Sequence, residues 1–234
     1  MCGRDYLTYT DEELFFRYLN RKTWPWAIEK DIPAFKPNYN MCPTQTGPVL
    51  SVVDGKLGFR LMRWGLVPAW AKTVKDADKY SMINAKSEEI AEKRSYKAAF
   101  QKRRCIVPVS GFYEWQRSGT TKKPFAIHLK NAPIMSLAGI WEHWVNIEDT
   151  ETVDSFALIT TAANSYMEKI HTRMPVILGP QEEERWLDPN LNDGSQLSSF
   201  MKGCPPEWLE SYEISPLVNS PKNNSVEVLK ALQS

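Results

Sequence analysis

Apolar and polar positions divide the chain into many short segments. Thr10-Asp11-Glu12-Glu13 has the form of a capping box, with Thr10 at the N-cap and Glu13 three residues on. Leu14, Phe15, Tyr18 and Leu19 follow at the spacing of a short amphipathic helix. Pro33, Pro37, Pro43 and Pro48 then exclude long regular structure, and Asn38 to Gly47 reads as an ordered loop. Val49 to Val53 and Leu57 to Trp64 flank Asp54-Gly55, the turn pair expected of a β-hairpin. Ser87 to Arg103 is helical in composition, with Ile90, Tyr96 and Phe100 available for an inner face.

The middle of the chain is rich in strands. Cys105 to Trp115 and Phe125 to Leu129 flank a turn at Ser118-Gly119, and strands follow at Ile134 to Ile140 and Phe156 to Thr161. Asn164 to Ile170 reads as a helix that stops before His171, and Met174 to Leu178 as a strand. Short helices are expected at Gln181 to Leu187 and at Gln196 to Lys202, and a last strand near Tyr212 to Ile214. The final ~15 residues form a polar tail, with only Val226, Val228 and Leu229 to dock it. Many strand pairings with helices at the margins predict an α+β fold: one domain over residues 1–234, with a mixed or barrel-like sheet as its core and short peripheral helices.

Composition sharpens this picture in three places. A length of 234 residues fits one large domain or two small ones, and 42% hydrophobic with 24% charged residues is ordinary for a globular protein. Nine Trp and sixteen Pro point to irregular connections and to aromatic surface suited to stacking. Cys2, Cys42, Cys105 and Cys204 are scattered, with no CxxC pair and no metal-ligand spacing, so a reducing, cytoplasmic setting is expected. No signal-peptide core and no run of 18 apolar residues occurs, which predicts neither secretion nor a membrane span.

The net charge is only +1, but it is unevenly spread. Between Lys56 and Arg104 thirteen Lys/Arg face five Asp/Glu, a balance of +8. Between Trp141 and Glu213 four face fourteen, a balance of −10. Such asymmetry suits one face that attracts phosphates and another that repels them.

Four stretches carry candidate chemistry. Once Met1 is removed, Cys2 becomes an N-terminal cysteine with an amine of pKa ~7.7–8.0 beside a thiol of pKa ~8.5. An aldehyde meeting that pair forms a Schiff base, which the thiol closes into a thiazolidine ring. Ile83-Asn84-Ala85-Lys86 sets an amide beside a cation. In Gly111-Phe112-Tyr113-Glu114-Trp115, strand alternation puts Phe112 and Glu114 on one face and Tyr113 and Trp115 on the other. A carboxylate among aromatics is desolvated, which suits it to proton transfer. His171 lies in His171-Thr172-Arg173-Met174-Pro175, between a predicted helix and a predicted strand. His128 and His143 have no such surroundings and read as structural. Each stretch taken singly is also what ordinary structure contains.

In order along the chain these motifs resemble the SRAP family, whose bacterial and eukaryotic members covalently capture abasic sites in single-stranded DNA. The resemblance rests on Met1-Cys2-Gly3-Arg4, Tyr39-Asn40 with Pro43-Thr44, Trp64-Gly65-Leu66-Val67-Pro68, Ile83-Asn84-Ala85, Gly111 to Trp115, Pro124-Phe125 and His171 to Pro175. It implies four catalytic residues. Cys2 is the nucleophile, Glu114 the acid/base for sugar ring opening and imine chemistry, His171 either a hydrogen-bond partner of the sugar oxygens or an aid to that proton transfer, and Asn84 the residue that orients Cys2 and the open sugar.

The resemblance further implies phosphate contacts from Arg4, Lys86, Thr160 and Arg173. Trp70, Trp115 and Pro43 are implied as stacking or wedge residues, with Asn40 near the site. It implies no metal and no organic cofactor, weak lyase activity by β-elimination as a side path, and a monomer whose partner is single-stranded DNA bearing abasic sites. Lys86 stands where many relatives have Arg, which removes a bidentate phosphate contact. Met41-Cys42 replaces a smaller pair in the loop before Pro43. The short C-terminal end favours the bacterial type, associated with the nucleoid when on DNA. Two rival functions stay open: a cysteine autopeptidase using Cys2, Glu114 and His171, and a non-covalent reader of modified or single-stranded DNA.

Overall fold

The computed structural model describes residues 2–146, 148 and 150–232, with the side chain of residue 118 left out. Fourteen strands occur among them. The first five are β1 (Asp5–Leu7), β2 (Ala27–Ile28), β3 (Asn38–Met41), β4 (Thr46–Val53) and β5 (Lys56–Trp64). The middle group is β6 (Asn84–Lys86), β7 (Arg104–Val109), β8 (Gly111–Ser118), β9 (Thr121–Leu129), β10 (Met135–Val145) and β11 (Thr152–Ala162). The chain closes with β12 (Arg173–Pro175), β13 (Ile177–Leu178) and β14 (Leu209–Glu213). Short helices lie at the margins: α1 (Asp11–Leu14), α2 (Val74–Asp78), α3 (Lys97–Lys102), α4 (Glu183–Leu187) and α5 (Gly194–Ser198). None of the described helices is long and apolar enough to cross a membrane.

The larger sheet runs in the order β12-β11-β10-β7-β4-β5-β2, and β11 also pairs β5 in parallel. That extra pairing closes β4, β5, β11, β10 and β7 into a five-strand mixed barrel, the architecture expected from the sequence. A second sheet, β14-β9-β8-β1-β3, packs against it. Alternate residues of the barrel strands serve two different cores. Val107, Leu137, Phe156 and Leu158 join Cys2, Met41 and Phe112 in the core facing the second sheet. Ile106, Ala138, Ala157 and Ile159 join Leu14, Tyr18, Phe100 and Trp186 in the core under the helices. Near-continuous apolar runs in these strands reflect burial on both faces.

Several local expectations are met. Thr10 Oγ1 accepts from the Glu13 N–H and Glu13 returns a bond to the Thr10 N–H, a complete capping box. The hairpin of β4 and β5 turns at Asp54 and Gly55, both at positive φ (51° and 72°), as a type I′ turn requires.

Others need correction. Residues 38–41 are not loop but strand, because β1 supplies a pairing partner that their polar sequence does not announce. Residues 87–96 form separate turns, and regular helix begins only at Lys97. Lys93 and Arg94 interrupt the apolar stripe between the buried Ile90 and Tyr96, so no continuous helix face exists there. The run from Cys105 to Trp115 breaks at Ser110 and changes sheet, and its hairpin turns at Gly119-Thr120, one residue later than expected. Residues 164–170 hold only a short 3₁₀ turn at Met167–Lys169. Met174 to Leu178 is two short strands, β12 and β13, with different partners.

Candidate functional site

The second sheet brings Cys2 and Glu114 together. Tyr113 N–H donates to the Arg4 carbonyl at 2.9 Å, and Asp5 pairs with Phe112, so the N-terminal segment runs antiparallel along β8. Glu114 is 3% exposed and Cys2 wholly buried. Burial pushes the Cys2 thiol well above its ordinary range, and the facing carboxylates of Glu114 and Asp5 push it further the same way. Such a thiol rests protonated at neutral pH and needs a base before it can attack.

Asn84 holds Cys2 from the barrel. It sits on β6, which pairs in parallel with β11 through Leu158, and its carbonyl accepts from the Tyr96 hydroxyl at 3.3 Å. Its Nδ2 donates to the Cys2 carbonyl at 2.7 Å. The other end of the amide, Oδ1, is buried with no hydrogen-bond partner among the described residues, an acceptor held in place for a donor.

Beside Glu114 opens a pocket of about 450 Å³ lined by Glu114, Trp115, Arg117, Lys122, His171 and Asn219. His171 Nδ1 accepts from the Arg173 N–H at 3.0 Å and lies 3.3 Å from the Arg173 carbonyl. Gln116 Nε2 donates to the Lys169 carbonyl at 2.7 Å and ties this segment to β8. Trp115 Nε1 donates to Asn219 Oδ1 at 2.8 Å, fixing the indole at the pocket wall. A larger cavity of about 810 Å³ lies elsewhere, between Asn164, Gly179, Phe200 and Trp208, and holds none of the predicted site residues.

The remaining predicted residues divide into two groups. Arg173, Thr160 and Lys86 lie together, because β11 pairs with β12 on one side and β6 on the other. Arg173 donates to the Thr160 carbonyl at 2.6 Å and makes a two-pronged ion pair with Glu88, at 2.6 and 3.0 Å. That pair holds the Glu88 carboxyl down at about 2. Thr160 is wholly buried, while Lys86 is exposed and 3.5 Å from Glu89. Trp70, 40% exposed, stands edge-on to the exposed Tyr80 at 5.5 Å. Pro43 is half-buried, followed by Thr44 at φ 74°.

Arg4 and Asn40 form the second group, and both face inward. Arg4 Nη1 donates to Asn40 Oδ1 at 2.7 Å and to the Val218 carbonyl at 2.6 Å. Asn40, 1% exposed, donates to the carbonyls of Val218, Ser220 and Asn223. This network and the buried Val228 dock the polar tail, while Val226 stays exposed. His128 Nδ1 lies 3.1 Å from the Leu129 carbonyl, and His143 Nδ1 2.7 Å from Asp154.

The sequence reading missed Arg117 and Lys122. They sit directly opposite each other on β8 and β9, an unfavourable like-charge pair in a sheet, at the rim of the Glu114–His171 pocket. Hairpin pairing of two basic residues around Gly119 was the available signal. Asp5 was missed as well, because a polar residue after a short motif gives no hint of its burial.

Several known proteins resemble this one. The family model described as SOS response associated peptidase (SRAP) matches residues 1–221. The chain is 37% identical over 236 residues to the abasic site processing protein YoqW of Bacillus subtilis (strain 168), covering 99% of this chain and 100% of that protein. It is 29% identical over 265 residues to the abasic site processing protein HMCES of Xenopus tropicalis, covering 99% of this chain and 78% of that one. A solved structure from Bacteroides thetaiotaomicron superposes with a TM-score of 0.86 at 29% identity, over 99% of this chain and 100% of that one. A second, from Bordetella bronchiseptica, shares the fold with a TM-score of 0.72 at 19% identity, over 92% of this chain and 100% of that one.

Proposed function

The chain belongs to the SOS response associated peptidase family, and from that membership we propose that it acts on abasic sites in damaged DNA by covalent capture through Cys2. One observation carries the reading. The second residue of the chain is buried against a carboxylate, anchored by Asn84, and placed next to a pocket that also holds a histidine.

Removal of Met1 frees the Cys2 amine beside Glu114. The sugar of an abasic site, in its ring-closed hemiacetal form, enters the pocket with its ring oxygen toward His171. Glu114 delivers a proton to that oxygen and takes one from the anomeric hydroxyl, which opens the ring to the aldehyde, and it later exchanges the protons of the carbinolamine. The amine attacks C1′, water leaves, and the imine is captured by the Cys2 sulfur as a thiazolidine. The same imine permits β-elimination, which makes weak strand cleavage a side path. Asn84 keeps the Cys2 backbone fixed and offers Oδ1 to the new amine.

Single-stranded DNA fits the surroundings. Trp115 and the exposed Trp70 present aromatic faces, which stack on bases without regard to sequence. Arg117 and Lys122 supply positive charge at the pocket rim, and Lys86 and Arg173 beside β11.

The test is a denaturing gel of the purified protein with a uracil-containing single-stranded oligonucleotide after uracil-DNA glycosylase treatment. A heat-stable, slower band is expected with the treated oligonucleotide, and none with Cys2→Ala. Retention on a native gel without that band would leave only a non-covalent reader. A protein that binds neither form, and keeps Met1 when Glu114 is changed to Ala, would favour the autopeptidase.

A further inference from the structure

The pocket beside Glu114 has two sides. Pairing of the N-terminal segment with β8 ends where the Tyr113 N–H meets the Arg4 carbonyl, and β9 and β1 are the only strands that adjoin β8 among the described residues. The pocket therefore borders an unpaired edge of β8, and strand alternation divides its walls. Glu114 shares the face of Phe112, which belongs to the same buried cluster as Cys2. Trp115 and Arg117 project to the other face, with Pro124 and Lys122 directly opposite them on β9. The reaction proposed above runs on the Glu114 side and leaves the arrangement of the other side unexplained.

Most cations around the site are already engaged. Arg173 is held by Glu88, Lys86 by Glu89, and Arg4 by Asn40 and Val218. Lys123, on the opposite face of the hairpin from Lys122, pairs with Glu213 at 3.1 Å. Arg117 and Lys122 have no carboxylate partner among the described residues, although they stand directly opposite each other. Opposed side chains have Cβ atoms about 4.5–5.5 Å apart, so the two charges repel unless an anion lies between them. The aromatic member of this face is fixed. An indole N–H can only donate, and that of Trp115 donates to Asn219 Oδ1 at 2.8 Å, so the other end of the amide, Nδ2, is a donor. It makes no hydrogen bond among the described residues, and the Val218 carbonyl just before it is gripped by Arg4 and Asn40. Trp115 and Arg117 are two residues apart, about 7 Å along the strand, within the reach of one nucleotide from base to phosphate.

We propose that this face is a nucleotide subsite: it takes the unit of the DNA strand next to the abasic sugar, with the base on Trp115, the base edge at the Asn219 amide, and the phosphate between Arg117 and Lys122. The assignment rests on the reading of the adjoining pocket as the seat of an abasic sugar. Stacking on an indole is blind to sequence, and every base carries an acceptor on its edge for Nδ2. The subsite therefore selects for a nucleotide in place beside the lesion and not for a particular base. Its phosphate relieves the repulsion built into the hairpin, which makes this one linkage matter more than its neighbours.

The test measures binding of single-stranded oligonucleotides that carry one tetrahydrofuran residue, an abasic analogue with no aldehyde, so covalent capture plays no part. Four further oligonucleotides each hold one methylphosphonate, which removes the charge of a single linkage, at the first or second linkage on either side of the analogue. Affinities are read by fluorescence anisotropy at constant salt for wild type, Arg117→Ala/Lys122→Ala, Lys123→Ala and Asn219→Ala. One linkage is expected to stand out in wild type, with a loss of about threefold or more. In the double variant that linkage is expected to lose its excess over the other three, while Lys123→Ala keeps it. Replacing the base of that nucleotide by a second tetrahydrofuran is expected to cost wild type about tenfold and Asn219→Ala about threefold, because the indole is no longer held. Equal losses at all four linkages in wild type mean a diffuse field and overturn the subsite, a result that needs no variant to fold. A prominent linkage that persists in the double variant overturns the assignment to Arg117 and Lys122, and base removal that costs wild type and Asn219→Ala alike overturns the role of Asn219. Absence of wild-type crosslinking to a genuine abasic oligonucleotide overturns the covalent reading instead, and the binding results then judge the subsite alone.

Discussion

Two carboxyls, Glu114 and Asp5, push the Cys2 thiol up, and only one of them is announced by its neighbours in sequence. Glu114 was legible in the sequence because aromatic neighbours in a strand announce desolvation, and β8 does bury it. Asp5 was not, because nothing local says that β1 will lie between two other strands. Its burial has a consequence for stability that runs opposite to that of most acids. Unfolded, Asp5 titrates near 3.8; folded, at about 8. The folded state binds the proton more tightly, so stability is greatest below the unfolded value and falls as pH rises between the two. Above about 8 the loss is complete. Asp5→Asn removes it, so thermal denaturation should show the variant level with wild type at pH 4 and several degrees more stable at pH 8. A variant less stable than wild type across that range contradicts the burial argument.

At the scale of elements, the β8–β9 hairpin and the β6–β11–β12 ladder carry the cations around the pocket. The hairpin opposes Arg117 to Lys122, an arrangement that costs stability unless an anion lies between them. Replacing each with Ala should weaken single-stranded DNA binding and reduce the slope of log affinity against log salt by ~0.7 per residue. An unchanged slope removes the hairpin from the DNA path. In the ladder, Glu88 occupies both prongs of Arg173, so on the proposed DNA path a phosphate would compete with a carboxylate. Glu88→Gln should release the guanidinium and tighten binding about threefold in fluorescence anisotropy at constant salt. Weaker binding would mean that Glu88 holds Arg173 in its working position. The ladder was only half visible beforehand. Asn84 and Arg173 stood out as motifs, but their meeting across β11 is a long-range pairing that local pattern does not encode.

For the whole molecule, hydrophobic patterning was enough to predict a strand-rich α+β domain with a barrel-like sheet. Alternating residues in β4, β5, β7, β10 and β11 supply two cores, and this is why the runs look almost continuously apolar. Closure of the barrel by the parallel β5–β11 contact has no local signature, nor does the docking of the tail by Asn40 and Arg4. That docking joins the two ends of the chain, since Arg4 follows Cys2 by two residues and holds the carbonyl of Val218. The fold thus fixes the N-terminal segment between β8, β3 and the tail. The most direct measurement is the intact mass of the purified adduct with a defined abasic oligonucleotide, followed by sequencing of the modified peptide. The account predicts the masses of protein without Met1 and of oligonucleotide, less one water, with the link at Cys2. A product that retains Met1, or one joined through a lysine, would contradict it.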